Sequence, residues 1–236
     1  MQEPIEAAFL QPALEKSIEK YPYFFIRILD KKNRLFAMPV ISTPTVKEKH
    51  SPAYLQIRNW QECEAQVTYL GNTIILEYTH AVSDGKGGQD FLLFLTAEYI
   101  SLKYQDKAVL NDIPAISLQK LTQDGYFAFA ESLATAKKAG VAYRIKGTPQ
   151  AGNSVNITTY RLSAVQIRQS AKEQHASITE YMAAMLFMGI YGIQQKEHTK
   201  QRYKKIRLTV PVNLRTRFSC CTMRNFSLNV YPEKTA

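Results

Sequence analysis

Cysteine and tryptophan are scarce: three Cys and one Trp occur in 236 residues. The cysteine count is odd, and Cys220 and Cys221 are neighbours that bond to each other only with strain, so no disulfide framework is expected and the thiols read as reduced. Cys63 has no base near it in sequence, which leaves it a buried apolar side chain rather than a nucleophile. Metal-ligand spacing is absent. No apolar run approaches the ~18 residues that a spanning helix needs, and Met1 to Glu6 lacks a basic segment followed by an apolar one. The expectation is a soluble, cytoplasmic protein with no membrane insertion.

What is present suits a globular fold. The chain is 45% apolar and 21% charged, enough to bury a sizeable core. Its formal charge is +10, and Lys196 to Arg207 holds six basic residues against the single acid Glu197. Such a run is a solvated helix end or loop, a rim that attracts an anionic substrate, or a nucleic-acid footprint. No groove-reading motif supports the last, so no nucleic-acid partner is expected.

Periodicity places the elements. Leu10, Leu14 and Ile18 mark one helix face up to Lys20, and Tyr21-Pro22 stops it. Residues 23–29 and 34–38 read as a hairpin around Asp30 to Asn33, and Ala65 to Leu70 with Thr73 to Tyr78 as a second hairpin around Gly71-Asn72. Phe91 to Ile100 is apolar on most sides and long enough for a buried helix. Residues 101–153, with scattered Pro, Gly and Asn-Asp, read as a long connection containing some helix. Val155 to Leu162 is expected as a strand, Ser163 to His175 as a helix capped by Ser163, and Ser177 to Gly189 as another helix. Ile206 to Val212 and Phe226 to Tyr231 complete the strands. This irregular alternation predicts an α/β fold, a two-layer sandwich of mixed β-sheet and helices. The last strand runs into a short tail and the opening residues look like the middle of a domain, so truncation at both ends is expected.

One corner carries chemistry. His80 follows a strand and precedes a helix, with Asp84-Gly85 four and five residues on. The strand fixes the backbone, the corner lets the ring face a cavity, and Gly85 allows a tight turn that a side chain would obstruct. A positioned imidazole, neutral near pH 7, is the side chain that general-base work on a hydroxyl requires. Ser83 is next to Asp84 but points away from His80's side of an extended segment, which argues against a nucleophile. His50, His175 and His198 read as surface histidines.

Residues 78–88, Tyr-Thr-His-Ala-Val-Ser-Asp-Gly-Lys-Gly-Gly, resemble the HxxxDG active-site motif of the chloramphenicol-acetyltransferase-like superfamily. That superfamily includes BAHD acyltransferases, condensation domains of peptide synthetases, wax-ester synthases and alcohol acetyltransferases. Leu14 to Phe25, with Tyr21-Pro22, is similar to its early helix and strand. Val210 to Arg215, followed by Met223 to Phe226, is similar to a second-half strand bearing an arginine and then an Arg-Asn-Phe strand. Bacterial alcohol-acetyltransferase-like proteins give the nearest likeness. Two features depart from the pattern: the family's first strand and its late Asp-Phe-Gly-Trp-Gly-like motif have no counterpart here.

The resemblance implies two similar subdomains, residues 1–153 with the connecting segment and 154–236 as the incomplete start of the second. It implies a tunnel with acyl-CoA on one side and a small alcohol or amine acceptor on the other, His80 as general base, and no covalent intermediate. No bound cofactor is implied; acyl-CoA is a co-substrate. By the same analogy Asp84 pairs with Arg215 and holds the corner in shape against the second subdomain, while Asn225 is either a polar group at the subdomain interface or an ordinary strand-end residue. Two alternatives stay open: a condensation-type domain fed by a carrier protein, against which Thr79 in place of a second histidine argues mildly, and a non-catalytic binding homologue. The 236 residues alone are expected to be inactive.

Overall fold

The computed structural model of the chain describes residues 2–32, 34–40, 42–49, 63–129, 140–148, 158–197 and 204–234. The chain divides into two compact units, one of residues 1–134 and 213–228, the other of 135–212 and 229–236. This division does not run in sequence order as a 153/154 boundary would. The segment 213–228 belongs with the first unit because Arg215 and Phe226 bury there against Asp84.

The first unit begins with α1 (Ala7–Lys20), whose buried residues Leu10, Ala13, Leu14 and Ser17 share one face. The Ser17 hydroxyl donates to the Ala13 carbonyl at 2.7 Å, so its burial leaves no open polar group. Pro22 disfavours helix at Tyr21, and the chain turns through Pro22–Phe24 into the hairpin β1 (Ile26–Lys31) and β2 (Arg34–Pro39). Their register runs from Ile26↔Pro39 to Lys31↔Arg34. The short β3 (Lys47–Glu48) pairs parallel to β4 (Ala65–Leu70), which pairs antiparallel to β5 (Thr73–Tyr78). The sheet is therefore mixed, as expected. Gly71 closes the β4–β5 turn at φ +53°, a left-handed conformation that glycine adopts without penalty.

Pleating sorts the sheet's side chains. Ala65, Val67, Tyr69, Ile74, Leu76 and Tyr78 meet the core, while Gln66, Thr68 and Glu77 take the other face. The core is closed by α2 (Gly85–Tyr104), which starts six residues before its apolar run because Asp84 caps it, accepting from the Gly87 N–H at 3.1 Å. Phe24 stacks on Phe91 with centroids 4.5 Å apart, and Tyr21 meets Phe94 edge-on at 5.3 Å. These pairs tie α2 to the end of α1 and contribute about 0.5–1.5 kcal/mol each beyond their buried area. The expected connection holds the short helices α3 (Leu118–Thr122) and α4 (Gly125–Ala128).

The second unit contains α5 (Ala164–Glu173) and α6 (Ile178–Glu197). Ser163 caps α5 through the Gln166 N–H, as its position in sequence predicts. The helix ends with His175 at φ +52°, its N–H on the Lys172 carbonyl and that of Ala176 on the Ala171 carbonyl, both at 2.9 Å. Ser177 and Glu180 then cap α6 reciprocally, the Glu180 N–H donating to the Ser177 hydroxyl and the Ser177 N–H to the Glu180 carboxylate. This helix runs past the expected stop at Gly189, and neither Gly189 nor Gly192 takes the left-handed φ with which glycine ends a helix. It is apolar nearly all round, with Met182, Met185, Leu186, Met188 and Ile193 exposed.

Three strand expectations need correction. Residues 158–162 form no strand, and Tyr160 and Leu162 are exposed; 155–157 lie outside the described residues. Among the described residues this alternating pattern has no partner strand to satisfy its backbone. The expected strand Ile206 to Val212 is broken into β6 (Ile206–Arg207) and β7 (Val210–Asn213), with Leu208 N–H donating to the Pro232 carbonyl between them. Residues 226–231 narrow to β8 (Ser227–Val230), and β9 (Glu233–Lys234), expected as a tail, pairs antiparallel with β6. Part of the basic run is accounted for here: Lys196 lies in the last turn of α6, and Arg207 pairs with Glu233 and donates to the Gly140 carbonyl. Lys200, Arg202 and His198 lie outside the described residues. Among the described residues no single helix is long and apolar enough to cross a membrane.

Candidate active site

His80 sits where β5 hands over to α2. The Val82 N–H donates to the Thr79 carbonyl at 3.0 Å and closes a four-residue turn with His80 and Ala81 at its tip. The downstream flank is buried, with Val82 3% exposed and Ser83 0%; Thr79 upstream is half-buried, and His80 itself is exposed. The ring does not line the cavity of about 290 Å³ beside the first turn of α2, whose wall includes Tyr21, Lys86, Asp90, Phe94, Asp112 and Cys221. The turn presents the ring on a fixed backbone.

The Ser83 hydroxyl donates to the Met223 carbonyl at 2.5 Å and is sealed from solvent, so its proton serves the fold. Asp84 is buried, and each carboxylate oxygen accepts two bonds. Oδ1 accepts from Arg215 Nη2 at 2.8 Å and the Gly87 N–H at 3.1 Å; Oδ2 accepts from Arg215 Nη1 and the Phe226 N–H, both at 2.8 Å. Arg215 is as fully used. Its remaining donors reach the Thr222 carbonyl at 2.6 Å, the Asn213 Oδ1 at 3.0 Å and the Arg224 carbonyl at 2.7 Å. Five guanidinium donors and four carboxylate acceptor sites are thereby all committed.

This saturation fixes the electrostatics of the pair. Burial pushes the Asp84 carboxyl upward, but the Arg215 hydrogen bonds, with those from the Phe226 and Gly87 amides, outweigh it and hold the group below its ordinary value. A carboxylate with every lone pair occupied has no place to take a further proton, so its geometry is that of a brace. Arg215 differs from expectation in two ways. It opens the short helix α7 (Arg215–Phe218) instead of riding on a strand, and it belongs to the same compact unit as Asp84, so the pair ties 213–228 to the His80 corner within that unit.

Gly85 is corrected as well. Its φ is not left-handed and nothing lies within 4 Å of where a Cβ would stand, so the corner does not need glycine there for space. The close approach is at Gly87 and Gly88, where a Cβ would run into the Ser83 hydroxyl and Met223 carbonyl, and into the Tyr78 ring, respectively. The Gly-Lys-Gly-Gly run at 85–88 was the signal available in sequence, and its weight lay on the last two members.

Asn225 is half-buried and accepts from the Ser227 hydroxyl at 3.3 Å. Cys63 is half-buried with its thiol pushed up by burial, which fits an inert side chain. Asn213, Thr222 and Glu64, all holding the corner, carried no motif and were not legible in the sequence. His50 lies outside the described residues.

No family model matches the sequence, and no curated protein matches it. Solved structures do. Polyketide synthase associated protein 5 from Mycobacterium tuberculosis is 17% identical with a TM-score of 0.66, covering 99% of this chain and 60% of that one. TRI101 of F. graminearum, complexed with coenzyme A and deoxynivalenol, is 11% identical with a TM-score of 0.62, covering 99% and 65%. The first condensation domain of the CDA synthetase is 14% identical with a TM-score of 0.57, covering 99% and 61%. This chain therefore spans 60–65% of the length of the solved chains it resembles. With its mixed sheet and its strand–turn–helix corner at His80, it has the chloramphenicol-acetyltransferase-like fold of acyltransferases and condensation domains.

Proposed function

We propose that the chain is the base-bearing part of an acyltransferase that moves an acyl group, an acetyl group in the simplest case, from acyl-CoA to an alcohol or amine. The observation that carries this reading is the presentation of His80 at the exposed tip of a turn whose downstream flank is buried, four residues before the saturated Asp84–Arg215 pair. The exposed imidazole accepts the acceptor's proton as its oxygen or nitrogen attacks the thioester carbonyl. The tetrahedral intermediate then collapses, the C–S bond breaks, and the imidazolium returns the proton to the departing CoA thiolate. No covalent enzyme intermediate or bound cofactor is required. The coenzyme A in the TRI101 complex supports acyl-CoA as the donor.

A carrier-protein-bound donor is the second reading, supported by the likeness to a condensation domain. Release of free thiol from acetyl-CoA, measured with a panel of small alcohols and amines, tests the first reading against the same assay with an acyl-loaded carrier domain. Because the chain spans only part of the solved structures, turnover is expected from a longer polypeptide containing it, with the 236 residues alone inactive. Turnover on the carrier-bound donor alone would replace the first reading with the second, and unchanged turnover in His80→Ala would remove both.

A further inference from the structure

Thr79, the residue that enters the His80 turn, is gripped twice by one partner. Its N–H donates to the Glu64 carbonyl at 3.0 Å, and its hydroxyl donates to the Glu64 Oε2 at 2.7 Å. Glu64 stands immediately before β4 and Thr79 immediately after β5, so the pair continues the register of that hairpin by one step, beyond Ala65↔Tyr78. On the Glu64 side the anchor is firm: its own N–H donates to the Ile26 carbonyl at 2.7 Å, tying it to β1, and the residue is only 6% exposed.

The chemistry of the second grip has a direction. A carboxylate only accepts, so the Thr79 hydroxyl must aim its proton at Glu64, and this charge-assisted bond fixes the threonine rotamer as well as its backbone. The ladder ends at this residue. Beyond it the turn rests on the Val82 N–H, the burial of Val82 and Ser83, and the Asp84 network on the far side. Glu64 is thus the upstream counterpart of Asp84: each is a buried carboxylate that holds one side of the turn carrying His80.

We propose that Glu64 is a positioning residue for His80, acting through Thr79. The inference rests on the reading of His80 as the base, but the clamp can be tested without turnover. The chain has four histidines, so ¹³C-histidine labelling gives a countable set of ring signals, and the His80 signal is identified by its loss in His80→Asn. In Glu64→Ala the His80 ring signal should shift or broaden, with the other three unmoved. The Thr79 amide keeps its bond to the Glu64 backbone carbonyl, but losing the charge-assisted grip on the hydroxyl should loosen this last step of the ladder and let the amide exchange with solvent about tenfold faster or more. Glu64→Gln retains an acceptor and should restore both readouts. Thr79→Val removes only the hydroxyl and serves if Glu64→Ala fails to fold; Thr79→Ser should behave as wild type.

A purely structural role would speed exchange throughout β4 and β5 and leave the His80 signal in place. That result, or an unchanged His80 signal in folded Glu64→Ala and Thr79→Val, overturns the inference. In an active longer form, Glu64→Ala should lower kcat with little change in KM, and Glu64→Gln should recover it. If His80→Ala retains activity while the clamp readouts behave as stated, the base assignment fails and the clamp stands.

Discussion

Asp84 and Arg215, 131 residues apart in sequence, meet in a two-pronged ion pair with both N···O distances at 2.8 Å. The pair is sealed from water, with side chains 5% and 8% exposed. A buried pair of this kind adds little over an apolar replacement, but removing one partner strands a charge in the interior. Here each substitution also orphans backbone groups: Asp84→Ala leaves the Gly87 and Phe226 amides without their acceptor, and Arg215→Ala leaves the Thr222 and Arg224 carbonyls without their donor.

Asp84→Ala and Arg215→Ala should therefore each destabilise the chain by about 3–5 kcal/mol. The double variant should lose much less than the sum, because the second substitution removes the charge that the first left uncompensated. Urea unfolding of the four proteins measures the cycle. Additive losses would mean that the two residues act through separate contacts and would return Asp84 to candidacy as a proton-transfer group.

The same pair sets an acid limit. Asp84 has its folded-state value held below that of the unfolded chain, so it contributes stability that is present above the unfolded value, about pH 4, and lost as pH falls through the folded value. Wild type and Asp84→Asn should differ most in Tm near neutrality, and the difference should narrow on acidification below about pH 4. A gap that stays constant to pH 3 would show that the carboxylate charge is not what the corner uses.

His80→Ala should behave differently from both. The ring is exposed at a turn tip with no hydrogen-bond partner among the described residues, so Tm should hardly move. Acyl transfer in an active form should fall by about 10²–10⁴, the usual contribution of a positioned general base.

Legibility in the sequence followed the range of the interaction. The β4–β5 hairpin, the Ser163 cap and the stop at Tyr21 are decided within a few residues, and each was read correctly. So was the Asp84–Arg215 pairing, although only through resemblance to a family. What failed depends on distant partners. The stretch Val155 to Leu162 has a strand's alternation, and its described residues have no strand to join. The pairing of β9 with β6 requires a return of the chain that no local pattern announces. Thr222 and Asn213 look like ordinary loop polars until Arg215 is seen to need their oxygens.

Glycine 85, 87 and 88 separate what a motif shows from what packing demands. A Cβ at Gly85 would stand in open space at the first position of α2, so Gly85→Ala should leave stability unchanged or raise it by up to about 1 kcal/mol, through the smaller entropy loss of alanine. A Cβ at Gly87 would strike the Met223 carbonyl, a backbone atom that already accepts the Ser83 hydroxyl, and neither can move without opening the buried corner. Gly87→Ala should thus cost about 1–3 kcal/mol, as overpacking does. At Gly88 the obstacle is the Tyr78 ring, whose hydroxyl donates to the Asp84 carbonyl at 2.9 Å; swinging it aside breaks that bond, so Gly88→Ala should also lose stability. Urea midpoints of the three variants rank the sites. If Gly85→Ala lost as much as Gly87→Ala, the corner would depend on glycine at the helix start for its backbone, and the packing account of this motif would be wrong.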